Sequence, residues 1–167
     1  MKRHSNKAIE ELHVRGFFRL KIVETQKNGE IKVVGDSGWK KNQITNLGKD
    51  QYLSQLLANM AGSKQVSYAA IGTGGVPAAT DTTLSGELTD SANCRMAVSP
   101  STINQSGTVQ FAFTLNSGLI TTSHAISNVG LFNVSTTASG TLFAGNTFTS
   151  STLATNQAVN GSYQIRF

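Results

Sequence analysis

The sequence predicts a mainly β protein: an antiparallel β-sandwich or jelly roll with one packed α-helix and an N-terminal hairpin and arm. Three observations predict it. After Val66 the chain breaks into short segments of alternating apolar and polar residues, spaced by about 10–15 residues with separators rich in Gly, Ser, Thr and Asn. Before that, an Asn28-Gly29 pair joins two extended stretches, and Asn-Gly is the strongest short hairpin turn because both residues tolerate positive φ. Only one window, 46–61, repeats its apolar residues at helical spacing.

Taken in order, residues 1–13 hold no firm pattern: Ala8, Ile9 and Leu12 suit a short helical stripe, and a flexible arm that orders on binding fits equally. FFRLKIVE then alternates Phe18, Leu20 and Ile22 against Arg19, Lys21 and Val23, and IKVVGDSGW is the return strand, so the hairpin has one polar face. In the helix, Thr45 or Asn46 is positioned as the cap and Asp50 lies in the first turn, where a negative charge suits the helix dipole. Leu53, Leu56, Leu57 and Met60 make one apolar stripe, and Gly62 stands where a helix stops. The remaining strands are VSYAAIG, ANCRMAVS, TVQFAFTL, AISNVGLFNV, GTLFAGNTF and GSYQIRF. TVQFAFTL sets Val109, Phe111, Phe113 and Leu115 against Gln110, Ala112 and Thr114, and the last strand sets Tyr163, Ile165 and Phe167 against Gln164 and Arg166.

A chain of 167 residues suits one compact domain or one domain with a small extension, divided here into a basic arm and hairpin (1–45) and a helix plus sandwich body (46–167). Residues 1–50 carry eleven of the fourteen Lys and Arg and six of the nine Asp and Glu. The net charge of +5 therefore resides in the head, while the body is nearly neutral and crowded with Ser, Thr, Asn and Gln. A cytosolic enzyme usually keeps about one-quarter to one-third of its surface charged. A neutral polar surface instead fits a protein packed into an assembly or working outside the cell. The one cysteine, Cys94, makes no intramolecular disulfide and is expected as a small core residue. Residues 1–15 are charged with no apolar run behind them, so no leader is expected, and no segment approaches the roughly 18 apolar residues of a membrane span.

The stretch IGTGGVPAATDTTLSGE (71–87) invites a phosphate cradle, since Gly72, Gly74 and Gly75 are so close. A P-loop needs a lysine on the phosphates and a following helix; neither is present, and Pro77 stands where the dinucleotide fingerprint wants its third glycine. A tight turn leaving a strand is the reading. His4, His13 and His124 are scattered, no metal or paired-carboxylate motif occurs, and no serine lies in a nucleophile elbow. No catalytic, cofactor or metal residue is therefore assigned, although His124 is the one histidine of the body that could serve as a base. Glu87 and Arg95 are singled out as a polar contact, because only six charged residues follow Asp50 and these two flank one short segment. They pair with each other, bridge two subunits, or stand as separate solvated charges. Lys2, Arg3, Lys7 and Arg15 form the anchoring arm, with Lys40-Lys41 beyond it. Glutamates 10, 11, 24 and 30 interrupt this basic run and stacking aromatics are few, so docking on a protein is expected rather than specific nucleic-acid binding.

The order of motifs carries a resemblance. W-x-x-N-x-I-T-N-x-G runs from Trp39 to Gly48, followed by the helix, A-I-G-T-G at 70–74, D-T-x-L-x-x-E at 81–87, the Arg95 segment, N-V-G-L-F at 128–132, G-T-L-F-A at 140–144 and a terminal Phe167. Over residues 39–167 this resembles a broad group of tailed-bacteriophage virion proteins described as tail-fibre, appendage or head-decoration components. Each motif is short, so the likeness lies in their order and spacing. One departure is that Asn128 or Val129 stands where the group's pattern carries an acid. The resemblance implies a β-rich, homo-oligomeric, trimeric virion component without catalysis or cofactor. It implies anchoring by the head to other virion proteins and a body that projects outward and can meet a host-surface glycan. The alternative is a carbohydrate-binding β-sandwich module for host-surface attachment, which needs exposed aromatics on one face. A small hydrolase on a β scaffold is the third reading, and it lacks a triad or metal set.

Overall fold

The alternating pattern of β1 (Arg15–Thr25) decides the centre of the structure. Phe18, Leu20 and Ile22 are buried, while Phe17, Arg19 and Lys21 are half-buried on the opposite face. The computed structural model describes residues 13–55, 60–103 and 107–167. Within them follow β2 (Ile31–Asp36), β3 (Lys40–Ile44), β4 (Tyr68–Gly72), β5 (Met96–Ala97), β6 (Ser99–Ile103), β7 (Thr108–Leu115), β8 (His124–Phe132), β9 (Leu142–Leu153) and β10 (Gln157–Arg166).

All pairings among these strands are antiparallel. One layer runs β6-β7-β10-β1, with β2 and β3 sharing the far edge of β1; the other runs β5-β4-β8-β9-β3. The layers are joined at both sides. β3 pairs with β1 through Lys40–Asn42 and with β9 through Gln43 and Ile44. On the other side β5 pairs with β4, and after Val98 the chain continues as β6 against β7. The result is a nearly closed barrel of sandwich-like section, the arrangement by which antiparallel sheets limit their free edges. The hairpin expected at the N-terminus is built into this sheet: β1 pairs with β10 from Arg15 to Glu24. Its turn falls at the expected Asn28-Gly29, but only Gly29 takes positive φ, 83°, while the Asn28 side chain accepts the Glu30 N–H at 3.0 Å.

The space between the layers is filled by Phe18, stacked on Tyr163 at 5.9 Å and edge-on to Phe148 at 6.1 Å, with Ile71, Leu115, Ile126, Leu131 and Leu153 around them. Each such aliphatic side chain contributes about 1.5–3 kcal/mol on full burial.

Several expectations are corrected. ANCRMAVS is not one strand: it is a 3-10 turn at Ala92–Cys94 and then β5, whose chain changes layer at Val98. β3 and β6 were not expected; KKNQI and SPSTI lack the apolar alternation that marks a strand, and both pair at layer edges. β2 does not have one apolar and one polar face, since Ile31 to Val34 are all exposed. The helix is capped as expected, the Gly48 N–H donating to Thr45 Oγ1 at 2.9 Å, but Gly48–Ser54 winds as a π-helix rather than an α-helix. That changes which residues face the sheet. Tyr52 is buried against Phe143 at 5.1 Å, Leu53 is half-buried and Met60 is 56% exposed, while Leu56 and Leu57 lie outside the described residues.

Candidate functional site

The structure brings Glu87 and Arg95 together. Glu87 follows the glycine loop and bridges back to Gly72 at the end of β4, while Arg95 lies between the 3-10 turn and β5. The guanidinium meets the carboxylate in a fork, Nε donating to Oε1 at 2.5 Å and Nη2 to Oε2 at 2.9 Å. Nη1 donates to the carbonyls of Val134 at 3.0 Å and Ser139 at 2.9 Å, and the guanidinium carbon lies 3.7 Å from the centre of the Phe132 ring. The side chains are 0% and 6% exposed. A bidentate guanidinium–carboxylate pair is among the strongest polar contacts a protein makes, and here it is dry on one aromatic face. Its chemistry is that of a clasp: it joins the loop between β4 and β5 to the loop between β8 and β9. Ala138 of the second loop is held at φ 56°, a backbone region that disfavours side chains.

The glycine loop serves the same clasp. Its glycines were expected to permit a sharp turn, yet Gly72, Gly74 and Gly75 do not have positive φ. They permit close approach instead. A Cβ on Gly72 would sit 2.5 Å from Asn128 Oδ1 and 2.7 Å from the Gly86 carbonyl, and one on Gly74 would overlap the Ser85 carbonyl. Gly75 faces open space. The loop is sewn down by the Thr73 N–H to Gly86 O at 2.9 Å, Ser127 Oγ to Gly74 O at 2.9 Å, and Asn128 Nδ2 to Ser85 O at 2.9 Å and Gly75 O at 3.2 Å. The Gly74 and Gly75 carbonyls therefore accept bonds from within, an acceptor-rich lining unlike the N–H cradle that holds phosphate. Asn128 is fully buried and works as this staple. Asp81 accepts the Ala78 N–H at 2.9 Å, closing the turn that follows Pro77.

His124 begins β8 and lies 2.9 Å from Asp90 Oδ2 through Nε2. Asp90 also accepts from the Thr121 N–H and hydroxyl at 3.0 and 2.9 Å. The His124 bond, and then the Thr121 donors, hold the Asp90 carboxyl well below the usual carboxylate range. Thr122 Oγ1 approaches the same Nε2 at 3.4 Å. Both partners thus crowd one ring nitrogen, so the geometry braces a loop and does not place the ring between a nucleophile and a carboxylate. Cys94 is buried and free.

Of the anchoring residues, Lys2, Arg3 and Lys7 lie outside the described residues, and Arg15 is exposed at the start of β1. Among the described residues no group of three or more His, Cys, Asp and Glu gathers as a metal site, and no helix is long and apolar enough to cross a membrane. Sequence reasoning missed the Asp90–His124 brace and the buried Asn42, whose Nδ2 donates to the Tyr163 hydroxyl at the centre of the core. The brace carried one signal in the chain, since Asp90 is among only three acids after residue 50. Comparison with protein-family models, curated proteins and solved structures gave no match.

Proposed function

We propose that this chain is a non-enzymatic structural component of a tailed-phage virion, a tail or neck appendage, fibre or capsid decoration protein. It acts by assembling with copies of itself, as a homotrimer, and by docking on the particle formed in the host cytoplasm. The observation that carries the assembly reading is β2. Among the described residues this strand pairs with β1 alone, and Ile31, Val33 and Val34 are 65%, 50% and 42% exposed, with Trp39 beyond them at 46%. Lys32 is the one charged residue between Ile31 and Val34. Proteins that remain single normally guard such an edge with charge, proline or a covering element. An apolar edge held out from the barrel fits a strand that a second copy covers. The order of motifs supports the virion reading, as does a Ser- and Thr-rich body that can hydrogen-bond a glycan at the host surface. Light scattering on the purified chain tests the assembly: a trimer is expected, and Val33→Lys is expected to shift it towards monomer without lowering the melting temperature. A monodisperse monomer at about 10 μM, together with no density for the chain in electron cryo-microscopy of the particle, overturns the reading.

A further inference from the structure

The pairing of strands collects positive charge on the outer face of the β6-β7-β10-β1 layer. Successive side chains of a strand alternate between faces. In β1, Phe18 and Leu20 point into the core, which leaves Arg15, Phe17, Arg19 and Lys21 outside. In β10, Tyr163 and Ile165 point inward, so Gln164 and Arg166 are outside. In β3, Asn42 is buried on Tyr163, so its neighbour Lys41 is outside, directly across from Phe17. Arg15 lies across from Arg166 in the same way. Five cations thus share one face. Among the described residues, the acid bonded to them is Asp36, which takes Arg19 in a fork at 2.9 and 2.5 Å and lies across from Lys21.

Between the cations the face is polar and ordered. Arg166 Nη2 donates to Gln164 Oε1 at 2.9 Å, and Gln164 Nε2 to Gln110 Oε1 at 3.0 Å. Gln164 is only 7% exposed although it points away from the core. The Arg166 guanidinium also lies over the Phe17 ring at 4.6 Å. The arginine is therefore held in place before any ligand arrives, and Phe167, 51% exposed, rims an open groove beside it. Such pre-ordering lowers the entropy lost on binding.

We propose that this face binds an anionic polysaccharide, a linear sugar polymer bearing carboxylate or sulfate groups. From Arg15 to Lys21 the cations span about 20 Å at the rise of a strand, a reach suited to a polymer rather than one small anion. Arginine forks match carboxylates and sulfates, and the intervening amides match sugar hydroxyls. Single-stranded nucleic acid fits less well, because its successive bases need a series of open ring faces, and with Phe17 taken by Arg166 the groove offers the single exposed ring of Phe167. The inference rests on the host-glycan part of the proposed function, placing that contact on the outer face of β1, β3 and β10 instead of the Ser- and Thr-rich body, and not on its assembly part, so light scattering and glycan binding fail independently.

The test measures binding of the full chain to heparin and to polygalacturonate, with neutral dextran and oligo(dT) as comparison probes. Both acidic polysaccharides are expected to bind, to weaken as salt rises from about 0.05 to about 0.5 M, and to exceed dextran. The combined Arg15→Gln, Lys41→Gln, Arg166→Gln variant is expected to bind roughly tenfold more weakly, since each exposed ionic contact contributes modestly. Lys27→Gln, Lys49→Gln, Lys64→Gln carries the same charge change away from the face and is expected to bind within about twofold of wild type. Thermal unfolding of both variants shows whether they remain folded. The proposal is overturned by tighter binding of oligo(dT) than of either polysaccharide, by no binding at low salt, or by equal loss in the two variants. It is also overturned if Lys2→Gln, Arg3→Gln, Lys7→Gln loses as much as the face variant.

Discussion

Arg95→Met isolates the energetic role of the clasp. The substitution removes two charge-assisted bonds and leaves the Glu87 carboxylate, 6% exposed, without its cation. Removing one partner of a buried pair typically costs about 3–5 kcal/mol, because the remaining charge stays desolvated. The carbonyls of Val134 and Ser139 lose their donor as well, which places the cost near the top of that range. For a chain of this size each kcal/mol moves the melting temperature by about 2–4 °C, so a fall of about 10–20 °C is expected. Glu87→Leu should cost a similar amount by stranding the guanidinium. In Glu87→Leu/Arg95→Met no charge is stranded, and the loss should shrink to about 1–3 kcal/mol, the part owed to the two carbonyls. Urea unfolding followed by circular dichroism on the four proteins closes a double-mutant cycle. Single losses below about 1 kcal/mol, or a double variant equal to the sum of the singles, refute the claim that the pair is dry and coupled.

The other predictions concern the parts around it. Gly74→Ala should cost about 1–3 kcal/mol in urea unfolding, because its Cβ overlaps the Ser85 carbonyl, whereas Gly75→Ala should stay within about 0.5 kcal/mol; equal effects would show that the loop tolerates separation. Tyr52→Phe should cost about 1–2 kcal/mol by leaving the Thr141 carbonyl without the hydroxyl that donates to it, again read from the urea midpoint. Two carboxylates set an acid limit. Arg19, and then the Gly38 N–H, hold Asp36 down to about 2 from 3.8, and Asp90 is lowered in the same direction by His124. A carboxylate lowered in the folded state adds stability that is complete above its unfolded value and is lost as pH falls through the folded one. The urea midpoint should therefore drop between about pH 4 and pH 2, and Asp36→Asn/Asp90→Asn should start lower at neutral pH and fall less steeply. An unchanged slope in that variant would assign the acid sensitivity elsewhere.

Local chemistry was enough to read β1 as far as Ile22, the place of its Asn28-Gly29 turn, β7 and β10 as far as Arg166, because alternation and turn residues act between near neighbours in the chain, whereas Val23 past a bulge is buried and Phe167 beyond β10 is exposed. Composition likewise picked out Glu87 and Arg95, since charges are scarce after residue 50. Which of the three arrangements they adopt was not legible: the fork closes only when the end of β8 supplies Phe132 and the loop after it supplies Val134 and Ser139 around Arg95. The glycines of 72–75 were visible as glycines, but the reason for Gly72 and Gly74 is proximity to Ser85, Gly86 and Asn128, atoms far along the chain. β3 was missed because its lysines and amides carry no apolar period; it forms because two different strands, β1 and β9, each offer part of an edge.

By itself, then, the sequence determined the β class, the faces of the strongly alternating strands and the residues worth watching. Alternation assigns a side chain to a face, but it is silent on which strands lie side by side. Strand order and register, settled by the packing of both layers around Phe18 and Tyr163, brought Arg166 beside Arg15 and Lys41 beside Phe17. Only the tertiary structure could turn separated basic residues into one charged surface, because pairing distant strands is a property of the whole core.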